Sequence, residues 1–196
     1  MKVTVNDREI LFEKDMSQSE IILQLQSALK EKNLVVMEAK VNGIASNLDL
    51  SQLAGLNDIE DIDLLVATPE QVLTEGLETA VTYLPLLQRG LTEIAAFFQE
   101  GREGEAISKF QEAVPGMEWL GQILSSAVLF FENNSLQDSF RSSAIDYSKK
   151  LEDMLEAWQN RDYILIADLL EYELAPFIDE LMPLIQNALN IIAEKE

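Results

Sequence analysis

Residues 62–77 read Ile62-Asp63-Leu64-Leu65-Val66-Ala67-Thr68-Pro69-Glu70-Gln71-Val72-Leu73-Thr74-Glu75-Gly76-Leu77, and the hydrophobic period changes inside them. As far as Ala67 the run is short, aliphatic and β-branched, which reads as a strand. From Leu73 the apolar residues return in steps of four and three: Leu73, Leu77, Ala80, Leu84, Leu87, Leu91, Ile94 and Phe98. That spacing is the seam of a left-handed helical bundle. The chain is therefore expected to divide at Pro69, into a mixed segment 1–68 and a helical segment 69–196.

Working back from the break, Val3 and Val5 alternate with polar residues, as do Ile10 and Phe12, on either side of Asn6-Asp7. A turn-forming pair between alternating runs predicts a β-hairpin. Ser17 or Ser19 can cap a helix with Glu20 in its first turn, carrying Ile21, Ile22, Leu25 and Leu29 on one face. Leu34-Val35-Val36-Met37 with Ala39 and Val41 predicts a third strand ending at Asn42-Gly43. A short loop holding Leu48, Leu50, Leu53 and Leu56 leads to the final strand, Ile62–Ala67.

Working forward, the same seam recurs. Ala106, Phe110, Ala113, Met117, Leu120, Leu124, Ala127 and Phe131 mark a second helix. Leu136, Phe140, Tyr147, Leu151, Met154 and Trp158 mark a weaker third. Tyr163, Ile166, Ala167, Leu170, Leu174, Phe177, Leu181, Ile185, Ala188 and Ile192 mark a fourth. Breaks at 100–102, 132–135 and 160–162 are short, which forces antiparallel neighbours. The fold class expected is α+β: a small β-grasp-like domain over 1–68, then an antiparallel up-down four-helix bundle over 69–196. Phe97, Ala106 and Pro115 match Trp158, Ala167 and Pro176 at one offset, which suggests two related αα-hairpins, 69–132 and 133–196. Pro85, Pro115, Pro176 and Pro183 fall inside helical patterns and are expected to kink or locally break them.

The order β-β-α-β-β, with Val5-Asn6-Asp7, Val41-Asn42-Gly43 and Asp58-Ile59-Glu60-Asp61-Ile62-Asp63-Leu64 at the matching places, resembles the β-grasp (ubiquitin-like) fold. It is most similar to the small sulfur carriers of thiamine and molybdopterin synthesis. Activity in that family depends on a free C-terminal Gly-Gly that becomes a thiocarboxylate. Here Val66-Ala67-Thr68 runs into Pro69 and onward, so the resemblance implies a binding or structural module without the carrier chemistry.

The composition excludes whole classes of chemistry. Among 196 residues there are 14 Lys+Arg, 35 Asp+Glu, no His and no Cys, for a net charge of −21, with 47% hydrophobic residues. No Ser-His-Asp triad, Cys nucleophile, disulfide, or thiolate or imidazole metal site can be built. The negative charge argues against nucleic acid and against anionic lipid as partners. The first residues hold no apolar signal core, and apolar runs such as 127–131 are far short of the ~20 residues of a membrane span. A cytoplasmic protein is expected, with no cofactor.

The acids divide as 12 against 6 basic residues in 1–68 and 23 against 8 in 69–196. They are dispersed along helical faces and not in runs, which favours solubility over an acidic decoy for nucleic-acid-binding proteins. At 100° per residue Asp168 and Asp179 lie opposite the fourth seam and Glu171 at its edge. An all-carboxylate metal or enzyme site is the alternative these acids leave open. Glu173 sits beside the seam, within reach of Arg89, Arg102, Arg141 or Arg161 as an ion-pair partner. Gly101-Arg102-Glu103-Gly104 reads as a helix–helix turn, and Lys149-Lys150 as a solvated pair.

The sharpest feature is a second apolar strip on the fourth helix. Leu165, Leu169, Tyr172, Pro176 and Pro183 fall within about 60° of one another, away from the seam. On the second helix Trp119 and Ile123 also leave the seam. Apolar surface of this kind needs a cover: the N-terminal domain, a wider bundle core, a second copy in a homodimer, or a protein partner. The function expected is a non-enzymatic protein–protein interaction module: an adaptor, regulator or chaperone-like protein.

Overall fold

In the computed structural model, residues 1–13, 15–56 and 58–194 are described. The chain forms two compact units, Met1–Val72 and Leu73–Glu196, with the division inside the helix that begins at Pro69.

The first unit is a mixed five-stranded sheet with one long helix. β1 (Lys2–Val5) and β2 (Arg8–Ile10) form the expected hairpin, α1 (Gln18–Glu31) follows, and β3 (Val35–Val41) turns into β4 (Ile44–Ser46). A single helical turn, α2 (Leu50–Leu53), precedes β5 (Asp61–Ala67). The spatial order is β2-β1-β5-β3-β4. β5 runs parallel to β1 and antiparallel to β3, so the last strand lies at the centre. This is compatible with a β-grasp-like start.

Both hairpin turns have positive φ at their two central residues, 47° and 60° at Asn6-Asp7 and 51° and 76° at Asn42-Gly43. These are the conformations Asn, Asp and Gly tolerate best. The asparagines then reach across to β5. Asn6 Nδ2 donates to the Val66 carbonyl at 2.9 Å and its Oδ1 accepts from Val66 N–H at 2.7 Å. Asn42 Oδ1 accepts from the N–H groups of Glu60 and Asp61 at 2.9 and 3.0 Å.

Ser17, not Ser19, caps α1, in a reciprocal box with Glu20. Ile21, Ile22, Leu25 and Leu29 pack on Val3, Ile62, Leu64 and Val66. Two elements differ from expectation: β4 and α2 occupy what the sequence suggested was loop. Three residues, Ile44-Ala45-Ser46, carry too little alternation to register as a strand, and one turn of helix too little period.

The second unit is helical: α3 (Pro69–Gln99), α4 (Glu103–Phe130), α5 (Gln137–Asn160), α6 (Tyr163–Asp168) and α7 (Ala175–Ala193). Almost every seam residue expected is buried in one core. Aromatic pairs show how the rods run. Phe110 stacks on Trp158 and Phe131 on Phe140, so α4 and α5 are antiparallel. Tyr83 meets Trp119 while Lys109 pairs with Glu93, so α3 and α4 are antiparallel. Tyr147 stacks on Phe177 and Lys150 binds Glu173, which sets α5 against the last rod in the same sense.

The fourth helix is not continuous. Leu169–Leu174 is a π-helical turn joining α6 to α7, directly before Pro176. Pro85, Pro115 and Pro183, by contrast, lie inside unbroken α-helix. The two suggested hairpins therefore differ at Pro115 and Pro176. A π turn closes i→i+5 bonds and holds more residues per turn than 3.6. Phe177, Leu181, Ile185, Ala188 and Ile192 beyond it are nevertheless buried as the seam requires, and Pro176 and Pro183 are exposed.

Candidate interaction surfaces

Where α3 meets α4, glycines make room for long side chains from the facing helix. A Cβ at Gly116 would overlap the hydroxyl and ring of Tyr83, and one at Gly76 would overlap the terminal methyl of Ile123. Trp119 sits edge-to-face on Tyr83, centroids 5.6 Å apart. Of the covers expected for these two residues, the placement matches the wider bundle core. Ile123 is 8% exposed and belongs to the core, and Trp119 is half-buried against it. They leave the seam because the core is wider on this side, with Ile123 inside it and Trp119 keeping part of its surface.

The last rod does carry exposed apolar groups. Tyr172 is 64% and Leu165 43% exposed; Pro176 and Pro183 are exposed, and Leu169 is half-buried against the core. Ile164, unnoticed in the sequence because it belongs to no seam, is exposed beside them. Glu173 meets neither Arg89, Arg102, Arg141 nor Arg161. Its partner is Lys150, at 2.6 Å, which also lies 3.5 Å from Asp146. Lys150 is thus a partly buried clamp and not half of a solvated pair. Partial burial opposes its charge, but the hydrogen bond to Glu173 and the field of both carboxylates outweigh it and hold the ammonium above its ordinary range. Asp179 accepts from Gln88 and Glu171 from Gln99, so both acids tie the rod to α3. Among the described residues no three His, Cys, Asp or Glu side chains gather so as to hold a metal ion.

A groove between α4 and α5 adds a surface that no seam or turn motif marks. Two adjoining cavities, about 550 and 460 Å³, lie along that helix pair. The first is lined by Val128, Leu129, Ala144 and Ile145 with Arg141 and Lys149, the second by Val114, Leu151, Leu155 and Trp158. Leu129 is 76% and Ile145 66% exposed, and Leu155 is exposed as well. Run 127–131 held the available signal, because five consecutive apolar residues on a helix cannot all face one core. Beneath the groove Tyr147 donates its hydroxyl to the Met117 carbonyl at 2.8 Å, and burial pushes its phenol far above the ordinary range. It is a neutral strut.

A family profile described as Domain of unknown function (DUF8042) matches residues 75–184, more than half of the chain. The chain belongs to this family. No curated protein and no solved structure matches it. The DUF8042 segment holds both surfaces, the α4–α5 groove and the exposed face of the last rod, and it lies wholly outside the mixed sheet. Among the described residues no helix is long and apolar enough to cross a membrane.

Proposed function

We propose that this chain is a non-enzymatic protein–protein interaction module of the cytoplasm, an adaptor, regulator or chaperone-like protein. In this reading residues 1–68 are a β-grasp domain without its carrier tail and 69–196 an up-down four-helix bundle with binding surfaces. The central parallel strand pair and the antiparallel rods support those two assignments. The observation that carries the function is the α4–α5 groove. Leu129 and Ile145 stand exposed at one hollow of the α4–α5 pair and Leu155 at a second, apolar surface of the kind that holds helical partners. Acids that could have formed a catalytic cluster are instead engaged with Gln88, Gln99 and Lys150.

The test is co-purification from the native cells together with light scattering, comparing the wild type with Leu129→Asp/Ile145→Asp. The reading expects a protein partner or a self-associated form in the wild type and its loss in the variant, at unchanged melting temperature. A variant that stays folded and keeps every association overturns it.

A further inference from the structure

The face of the last rod over the π turn has chemistry that narrows what it can hold. Leu165, Leu169 and Tyr172 form its apolar centre. From Tyr163 to Ala193 the rod carries Asp168, Glu171, Glu173, Asp179 and Glu180 and no Lys or Arg. The base across from it, Lys150, is already shared between Glu173 and Asp146, so the face keeps a negative surround. The π turn itself lies beneath Tyr172. Proline alone does not produce it, since Pro85, Pro115 and Pro183 leave their helices α-helical. Such turns recur at functional sites.

We propose that this face docks a basic amphipathic helix of a partner protein, with leucine-like side chains on Leu165, Leu169 and Tyr172 and Lys or Arg against the flanking carboxylates. An apolar centre inside an acidic rim selects that occupant by charge complementarity. It also disfavours a second copy, which would bring a like-charged rim onto the same face. The proposal rests on the interaction-module reading but concerns a different surface from the α4–α5 groove.

The chain has no cysteine, so one introduced thiol takes a fluorophore at a chosen place. Asp168→Cys reports on the rod face, Ser125→Cys on the α4–α5 groove, and Thr82→Cys on exposed α3. Each full-length protein is titrated with a Leu/Lys amphipathic helical peptide of roughly 18 residues, about 27 Å long, and with its Leu/Glu counterpart. The expected result is a saturable change at position 168, with a midpoint at least tenfold lower than at 82, and no change with Leu/Glu. Adding Leu165→Asp/Tyr172→Asp should raise the midpoint at least tenfold. Glu180→Gln, which removes charge and no apolar contact, should raise it about two- to fivefold and serves where the double variant fails to fold. Equal responses at 168 and 82 mean diffuse charge attraction and overturn the proposal. A change at 168 that follows protein concentration without peptide assigns the face to a second copy and does the same. A response confined to 125 removes this proposal and leaves the interaction-module reading standing, whereas silence at all three positions counts against both.

Discussion

Helix α4 meets its two neighbours in different ways. Toward α3 the backbones stand apart and long side chains span the gap onto glycines, Ile123 over Gly76 and Tyr83 over Gly116. Toward α5 the backbones approach closely, and hollows of about 550 and 460 Å³ lie along the surface of that pair. One helix thus shows apolar side chains that are consumed internally and others that are left for solvent. The lesson is that an apolar residue off the seam says nothing about exposure until the size of its neighbour is known. Ile123 and Leu129 look alike in the sequence, and glycine on the facing helix is what buries the first.

The harshest way to break this contrast is Gly116→Val. Two methyl groups would have to enter the space of the Tyr83 ring, and overpacking of this kind costs about 3 kcal/mol; denaturant unfolding measures it. Equal or higher stability than wild type would mean the α3 flank is not close-packed. Gly76→Ala should cost less, about 1 kcal/mol net, because the group displaced is the end of the Ile123 side chain and alanine favours helix. On the α5 side, Tyr147→Phe should lose about 1 kcal/mol, the net worth of one hydrogen bond, and loosen α5 as seen by amide hydrogen exchange.

Lys150→Met probes the next contact along, between α5 and the last rod. The folded-state pKa of Lys150 is raised, so its stabilisation is fully present below the ordinary value of 10.5 and is lost as pH rises through the folded-state value. The variant should flatten the stability-versus-pH curve in that alkaline range by less than about 1 kcal/mol, since its partners are half exposed. Last and smallest, Leu129→Ser/Ile145→Ser should change the unfolding free energy by no more than about 0.5 kcal/mol. A loss several times larger would show that those side chains belong to the core and that the two flanks are alike.

The seams and the hairpins were legible because each is a repeated local pattern. Leu73 through Phe98 recur often enough to set a face, and Asn6-Asp7 and Asn42-Gly43 are turn chemistry on their own. Ser17 with Glu20 likewise announced a helix start. What stayed hidden depended on partners distant in the chain. The π turn alters the count of residues per turn, which no window of the sequence displays, since Pro85, Pro115 and Pro183 leave their helices α-helical. Nothing in the spacing singles out Lys150, on the facing helix, over the four arginines as the partner of Glu173. The α4–α5 groove depends on which side chains fail to meet, and Leu129, Ile145 and Leu155 have no spacing that marks that.

The asparagines at the two hairpin tips have a consequence for the order of assembly. Asn6 holds Val66 near the far end of β5, and Asn42 holds Glu60 and Asp61 at its start. The central strand of the sheet is thus the last to be made and is latched at both ends by turns made long before it. Contacts separated by 60 positions must close over the whole unit, and such long-range closure slows folding. During synthesis β1 and β3 have no strand between them until residues 61–67 emerge, and the unit becomes cooperative only when that strand is available to join the two hairpins.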